Sequence, residues 1–173
     1  SDVLQRSREL TVQGASDSLS EEDRANIAEE IGELRSELIN VSNNKLGDRY
    51  IFGGHQTESE VYESDGTYNG NDGNIEREIG PGNKMTINVT GKEAFNFKDS
   101  AGNDKKIFNV LDDLKSNLNN SNTDEIANKL DLIDRALNQV TNKRAEIGAK
   151  INRVDMRKNR MEEENVNLKE LRS

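Results

Sequence analysis

Cysteine is absent from the 173 residues, so no disulfide, thiol nucleophile or zinc–thiolate site can form. Histidine occurs once, at His55, and one imidazole makes a poor transition-metal site. Apolar residues are scarce, at 31% against a usual share nearer half, while charged residues reach 33%. Such a chain cannot fill a wide globular core. It can fill the seam of a helix bundle, where about two or three positions in seven need be apolar. A basic excess is lacking too. The net charge of −9 argues against nucleic-acid and anionic-membrane partners, which call for clustered Lys and Arg. No apolar run approaches a membrane span, and no signal peptide is visible. The chain opens with Ser1 in what reads as the interior of a helix, so it is expected to be an excised fragment.

What is present is helical periodicity at both ends. Residues 1–14 read as a short helix closed by Gly14, a residue suited to a left-handed cap. Ser20 is a good N-cap, and Glu21, Glu22 and Asp23 suit the positive end of a helix dipole. Ile27, Ile31, Leu34, Leu38 and Val41 then mark one stripe of a helix running to about Asn44. A shorter helix is expected near 106–118. From Ile126 the alternation of four and three runs through Leu130, Ile133, Leu137, Val140, Ile147, Ile151, Val154, Met161 and Leu168. Arg144, Lys158 and Asn165 are the polar members of this stripe. They either edge the bundle with their stems or specify register and partner. One helix is predicted over about 124–172, on the order of 70 Å long.

The middle differs. Residues 61–105 hold most of the glycine and the only proline, Pro81. Runs such as Asn71-Asp72-Gly73 are turn chemistry, and Met85, Ile87 and Val89 alternate with polar residues as in a half-buried strand. The predicted fold class is mainly α: an elongated antiparallel helical bundle with a small inserted β subdomain. Its expected parts are an N-terminal helical arm (1–50), a connecting turn and strand (51–60), the β insert (61–105) and a C-terminal helical arm (106–173). The long seam exceeds the helices available to cover it. Its missing partner is either residues upstream of Ser1 or another copy of the chain.

Chemistry is sparse. His55 reads as a loop residue, exposed or locally hydrogen-bonded. The stretch 64–74 has the composition of a calcium loop but not the spacing of an EF-hand, and turn chemistry explains it. No phosphate loop is present. Glu76, Glu78 and Glu93 are acids in the insert without an arguable cleft, so a hydrolase is the disfavoured reading. No catalytic residue, metal ligand or cofactor is assigned.

The run LQRSRELTVQGASDSLSEEDRANIAEEIGELRSEL, from Leu4 to Leu38, resembles the N-terminal helical region of bacterial flagellins. The run ALNQVTNKRAEIGAKINRVD, 136–155, resembles the C-terminal helix of that family, with its Arg-Ala-x-x-Gly-Ala-x-x-Asn-Arg core. Between them GDRYIFGG, 47–54, is similar to the hook-associated class of flagellin-like proteins rather than to flagellins proper. The resemblance implies a structural subunit of the bacterial flagellum, extracellular and exported by the flagellar secretion system without a cleaved signal peptide. It would form the junction between hook and filament. The fragment would be the trimmed core without the terminal polymerisation helices. The alternatives are a filament subunit or a non-flagellar coiled-coil partner-binding protein. Implied partners are like subunits in a ring, the adjacent hook-associated protein, flagellin, and an export chaperone acting through the missing termini. The fragment itself is expected to be monomeric. By resemblance, the subunit-contact or bundle-bracing candidates on the surface of the helical core are Gln5, Arg6, Arg8, Glu9, Leu10, Arg24, Glu30, Arg144, Asn152 and Arg153. Gly47, Tyr50, Ile51, Phe52, Gly53 and Gly54 would form the domain-connecting turn, with Tyr50, Ile51 and Phe52 a short strand packed on the bundle.

Overall fold

The computed structural model describes residues 1–80 and 82–171. Two helices open the chain, α1 (Asp2–Gly14) and α2 (Glu21–Ser42). The Ser20 hydroxyl accepts the Asp23 N–H at 3.1 Å, which satisfies one of the free donors of the first turn of α2. Three antiparallel hairpins follow: β1 (Lys45–Leu46) with β2 (Arg49–Tyr50), β3 (Glu76–Gly80) with β4 (Asn83–Thr86), and, after the one-turn helix α3 (Gly91–Phe95), β5 (Asn96–Lys98) with β6 (Asp104–Lys106). The chain closes with α4 (Ile107–Asn119) and α5 (Thr123–Glu170), a single helix of 48 residues. It is mainly α with small sheets, the class expected from the periodicity.

Paired cross-links show that the helices run antiparallel to their neighbours. Between α1 and α2 Arg6 meets Glu30 while Gly14 meets Arg24, between α2 and α4 Arg35 meets Asp112 while Glu29 meets Lys115, and between α1 and α5 Arg8 meets Asp134 while Ser1, at the start of α1, meets Arg144. The core between them is narrow and built around α4. Ile107, Phe108, Val110, Leu111, Leu114 and Leu118 of this helix are all buried. Leu4, Leu10, Ile27, Ile31, Leu38, Ile126 and Ile133 close on it from the other three helices. The insert is tied to this core by aromatic rings. Tyr62 lies 4.8 Å from Phe108 by centroids, and Phe95 lies 5.2 Å edge-on from Phe52.

Three local expectations need correction. Gly14 ends α1, but Ala15 follows in the right-handed region and the left-handed cap does not form. Glycine serves packing there: a Cβ on Gly14 would run into Leu118 Cδ2. Only Tyr50 of the Tyr50-Ile51-Phe52 triplet lies in a strand; Ile51 faces solvent and Phe52 is half-buried. The triplet cannot continue as a strand because Gly53 and Gly54 turn the chain at once, with Gly54 at φ 67°. The strand expected through Met85, Ile87 and Val89 stops at Thr86, so Met85 and Val89 are buried but Ile87 is exposed. Within the insert, Tyr62 and Tyr68 form only an isolated bridge.

These packing roles separate two helix glycines. Gly14→Ala is expected to destabilise by about 1–2 kcal/mol, because overpacking against buried Leu118 exceeds the helix-propensity gain. Gly148→Ala meets nothing within 4 Å and should stabilise by about 0.5–1 kcal/mol. Urea unfolding at constant slope measures both; the same sign for the two would refute the packing account.

Candidate subunit-contact surface

The ten helical candidates divide by burial. Leu10 and Arg24 lie inside the bundle and are not surface residues. Leu10 belongs to the core. Arg24 sends Nε to the Gly14 carbonyl at 3.1 Å and Nη2 to the Ser16 carbonyl at 2.7 Å. It thereby satisfies the Gly14 carbonyl that the end of α1 leaves free, in place of the missing glycine cap, and ties down the Ser16 carbonyl of the turn that follows. Arg6 and Glu30, both named from sequence, are brought together at 2.7 Å, and Arg6 also reaches Glu9 at 3.2 Å. Arg8 is held by Asp134 at 2.6 Å. All of these pairs are exposed, so their worth in stability is small; Arg6–Glu30 and Arg8–Asp134 join two helices, whereas Arg6–Glu9 lies within α1. Arg144 donates to the Ser1 hydroxyl at 3.2 Å. Gln5, Asn152 and Arg153 are exposed, the last two on the C-terminal half of α5.

That half of α5 is where the seam is uncovered. Ile126 and Ile133 are fully buried, whereas Ile151, Met161 and Leu168 are 55%, 52% and 58% exposed. The side of α5 that carries α1 reaches as far as Arg144, beside Ser1. Beyond it the β3–β4 hairpin approaches: a Cβ on Gly80 would lie 2.9 Å from Arg157 Nη1. Glu162, Glu163 and Glu164 are solvated, with Glu164 paired to Arg160 at 3.0 Å. The result is a long helix face with apolar positions at 147, 151, 154, 161 and 168, flanked by charges of both signs.

The connecting turn is held from two sides. Gly47, at φ 61°, turns β1 into β2, and the Tyr50 N–H donates to the Thr57 carbonyl at 2.9 Å. Gly54 packs so closely on Asn71 that a Cβ would strike its carbonyl oxygen. Gly53 is buried, and a Cβ there would strike the Gln56 carbonyl oxygen. His55 is exposed, with Nε2 3.0 Å from the Asn74 carbonyl oxygen. Asp65 accepts the Thr67 N–H at 2.8 Å, the turn use expected of the 64–74 stretch.

Three bracing residues were not foreseen. Asn43, just past α2, accepts the Val61 and Tyr62 N–H groups on Oδ1, both at 2.9 Å, and donates Nδ2 to the Tyr62 carbonyl at 2.7 Å. One amide thus fastens the start of the insert to the end of a bundle helix. Arg35 joins Asp112 and the Ser64 carbonyl. Glu93 completes a capping box with Thr90 and also binds Lys143 of α5 at 3.1 Å, while Gln139 donates to its main-chain carbonyl at 2.7 Å. Burial works against the Glu93 carboxylate, but the Thr90 N–H and then Lys143 outweigh it and hold it below the usual glutamate range. The helical spacing of Gln139 and Lys143 is the one sequence signal for this clamp.

Residues 1–57 match the model of the bacterial flagellin N-terminal helical region. That match takes in the N-terminal third of the chain. In sequence the chain is similar to flagellar hook-associated protein 3. It is 30% identical to that protein of Escherichia coli (strain K12), over 88% of this chain and 55% of the relative. It is also 30% identical to a flagellin of Bacillus subtilis (strain 168), over 96% of this chain and 56% of the relative. The crystal structure of Xanthomonas campestris FlgL superposes with a TM-score of 0.86 over 98% of this chain and 88% of that one, at 19% identity. The chain spans about half the length of the relatives it matches in sequence.

Two outcomes test the bracing roles. Arg24→Ala should cost about 2–3 kcal/mol in denaturant unfolding, since two hydrogen bonds from a buried cation are lost; Arg24→Lys should recover only part of it. Because folded Glu93 titrates below its unfolded value, its contribution is present above the unfolded carboxylate range and is lost as pH falls through the folded value. Glu93→Gln should therefore flatten the acid-side fall of the melting temperature. A residual slope should remain from Asp65, Asp99 and Glu146, which are lowered too. An unchanged slope would remove Glu93 from the clamp.

Proposed function

We propose that this chain is the core of a structural subunit of the bacterial flagellum that joins hook to filament. The observation that carries the reading is that likeness in sequence to hook-associated protein 3 goes together with superposition on a FlgL structure over 98% of this chain. In this reading the molecule works by geometry. Like subunits stand side by side in a ring, with the adjacent hook-associated protein on one side along the axis and flagellin on the other. Gln5, Glu9, Asn152, Arg153 and the uncovered seam of α5 are the contact surfaces. Leu10 and Arg24 only brace the bundle, and Arg6, Arg8 and Glu30 hold its register. The protein is extracellular, exported by the flagellar secretion system, with an export chaperone acting through terminal segments. On its own the 173-residue chain is a monomer, because Arg144, Lys158 and Asn165 interrupt the seam.

No enzymatic role is assigned. The insert acids are engaged in structure: Glu93 caps α3 and binds Lys143, and Glu78 accepts the Gly82 N–H at 3.1 Å.

Deleting the full gene in the source bacterium tests the reading, with cells imaged by electron microscopy and the medium blotted for flagellin. Hooks without filaments, with flagellin shed into the medium, are expected. Loss of flagellin from cells and medium alike would make the chain a filament subunit instead. Normal filaments would remove both flagellar roles.

A further inference from the structure

Glycine follows Asn or Asp at three places in this chain, and all three fall within one short stretch of the insert: Asp65-Gly66, Asn69-Gly70 and Asp72-Gly73. Such dipeptides can cyclise when the glycine nitrogen reaches the preceding side-chain carbonyl carbon, because no Cβ shields that nitrogen. The structure treats the three differently. The Gly66 N–H donates to the Glu63 carbonyl at 2.9 Å, and the Asp65 carboxylate is held by the Thr67 N–H. The Gly73 N–H donates to Asn71 Oδ1 at 2.9 Å, and the Asp72 carboxylate is paired with Lys92 at 3.0 Å. The Gly70 N–H has no hydrogen-bond partner among the described residues, and Asn69 is exposed. Its one side-chain tie is a surface hydrogen bond from Nδ2 to Glu63 Oε1 at 2.9 Å.

We infer that Asn69 is a site of spontaneous deamidation in the folded protein, and that it is the one of the three glycine-preceding sites that folding does not protect. The Gly70 nitrogen gives its proton to solvent base and bonds to Asn69 Cγ. The Cγ–Nδ2 bond breaks and that nitrogen leaves as ammonia, closing a succinimide ring. Water then opens the ring at either carbonyl, leaving aspartate or isoaspartate at 69. One water is consumed, one ammonia is released, and no oxidant or reductant takes part. The glycine cannot be exchanged to prevent it: a Cβ on Gly70 would lie 2.6 Å from Tyr68 Cζ, whose ring packs against buried Tyr62. The product also alters the loop. A carboxylate at 69 loses the donor to Glu63 and sets two negative charges together on the surface. Isoaspartate adds a methylene to the backbone beside the hydrogen bond from the Asn69 N–H to the Val61 carbonyl.

The test is peptide mapping by mass spectrometry with isoaspartate detection. The full chain is incubated in mildly alkaline buffer, folded and in urea. Dividing the folded rate by the unfolded rate at each site removes the intrinsic difference between Asn and Asp. The ratio is expected near unity for Asn69. It should be roughly tenfold or more lower for Asp65 and Asp72, which react only after local opening. Asn69→Gln, which retains a surface amide, should abolish isoaspartate at position 69, located by fragmentation within the peptide that carries all three sites, and leave the other two ratios unchanged. Protection of Asn69 equal to that of Asp65 and Asp72 would overturn the inference.

Discussion

Scarcity of apolar side chains is the constraint on which this structure depends. With under a third of its residues hydrophobic, the chain buries the complete apolar set of only one of its long helices. That element is α4, whose apolar positions are all covered by α2, α5 and the aromatic group of the insert. The other helices each contribute one stripe and leave the remaining face to charge. The close approach of α1 to α4 follows from the same constraint. Gly14 lets Leu118 and Ile126 close the end of the bundle without a larger side chain to accommodate.

The insert shares this core rather than making its own. Its two hairpins have strands of three to five residues, too small to stand alone in water. Phe52, Tyr62, Phe95 and Phe108 bring loop, insert and α4 into one cluster. Polar fasteners then set the angle: Asn43 at one edge, Arg35 in the middle, Glu93 with Gln139 and Lys143 at the other. Each fastener takes one partner from a helix and one from the insert, so subdomain and bundle are joined on three sides.

The helices were legible in the sequence because their spacing of four and three is a property of the backbone period, and burial follows the stripe wherever a partner exists. The long helix was placed within a residue or two for that reason. What the spacing could not give was where the stripe stops being covered, since Ile126 and Met161 occupy equivalent positions with opposite exposure. Single-residue roles were harder. Gly14 looks like a cap from sequence and is a packing glycine, because only the identity of the facing residue tells the two apart. Arg24 looks like a surface charge and is buried, because its partners are main-chain carbonyls that leave no mark in the sequence. Asn43 gave no signal beyond its type. The connecting turn was legible from its glycines, but not the outward face of Ile51, which depends on the chain reversing one residue later.

The continuity of α5 has a mechanical consequence. At about 1.5 Å per residue its 48 residues make a rod on the order of 70 Å long. This single rod is held by α1 and α4 at one end, by the Glu93 clamp near its middle and by the hairpin tip at Gly80 further along. Bundle and insert are therefore loaded in parallel on the same shaft. A twist applied along it is resisted at three separated points, and the stiffness of the molecule in torsion is set by those anchorages more than by the core.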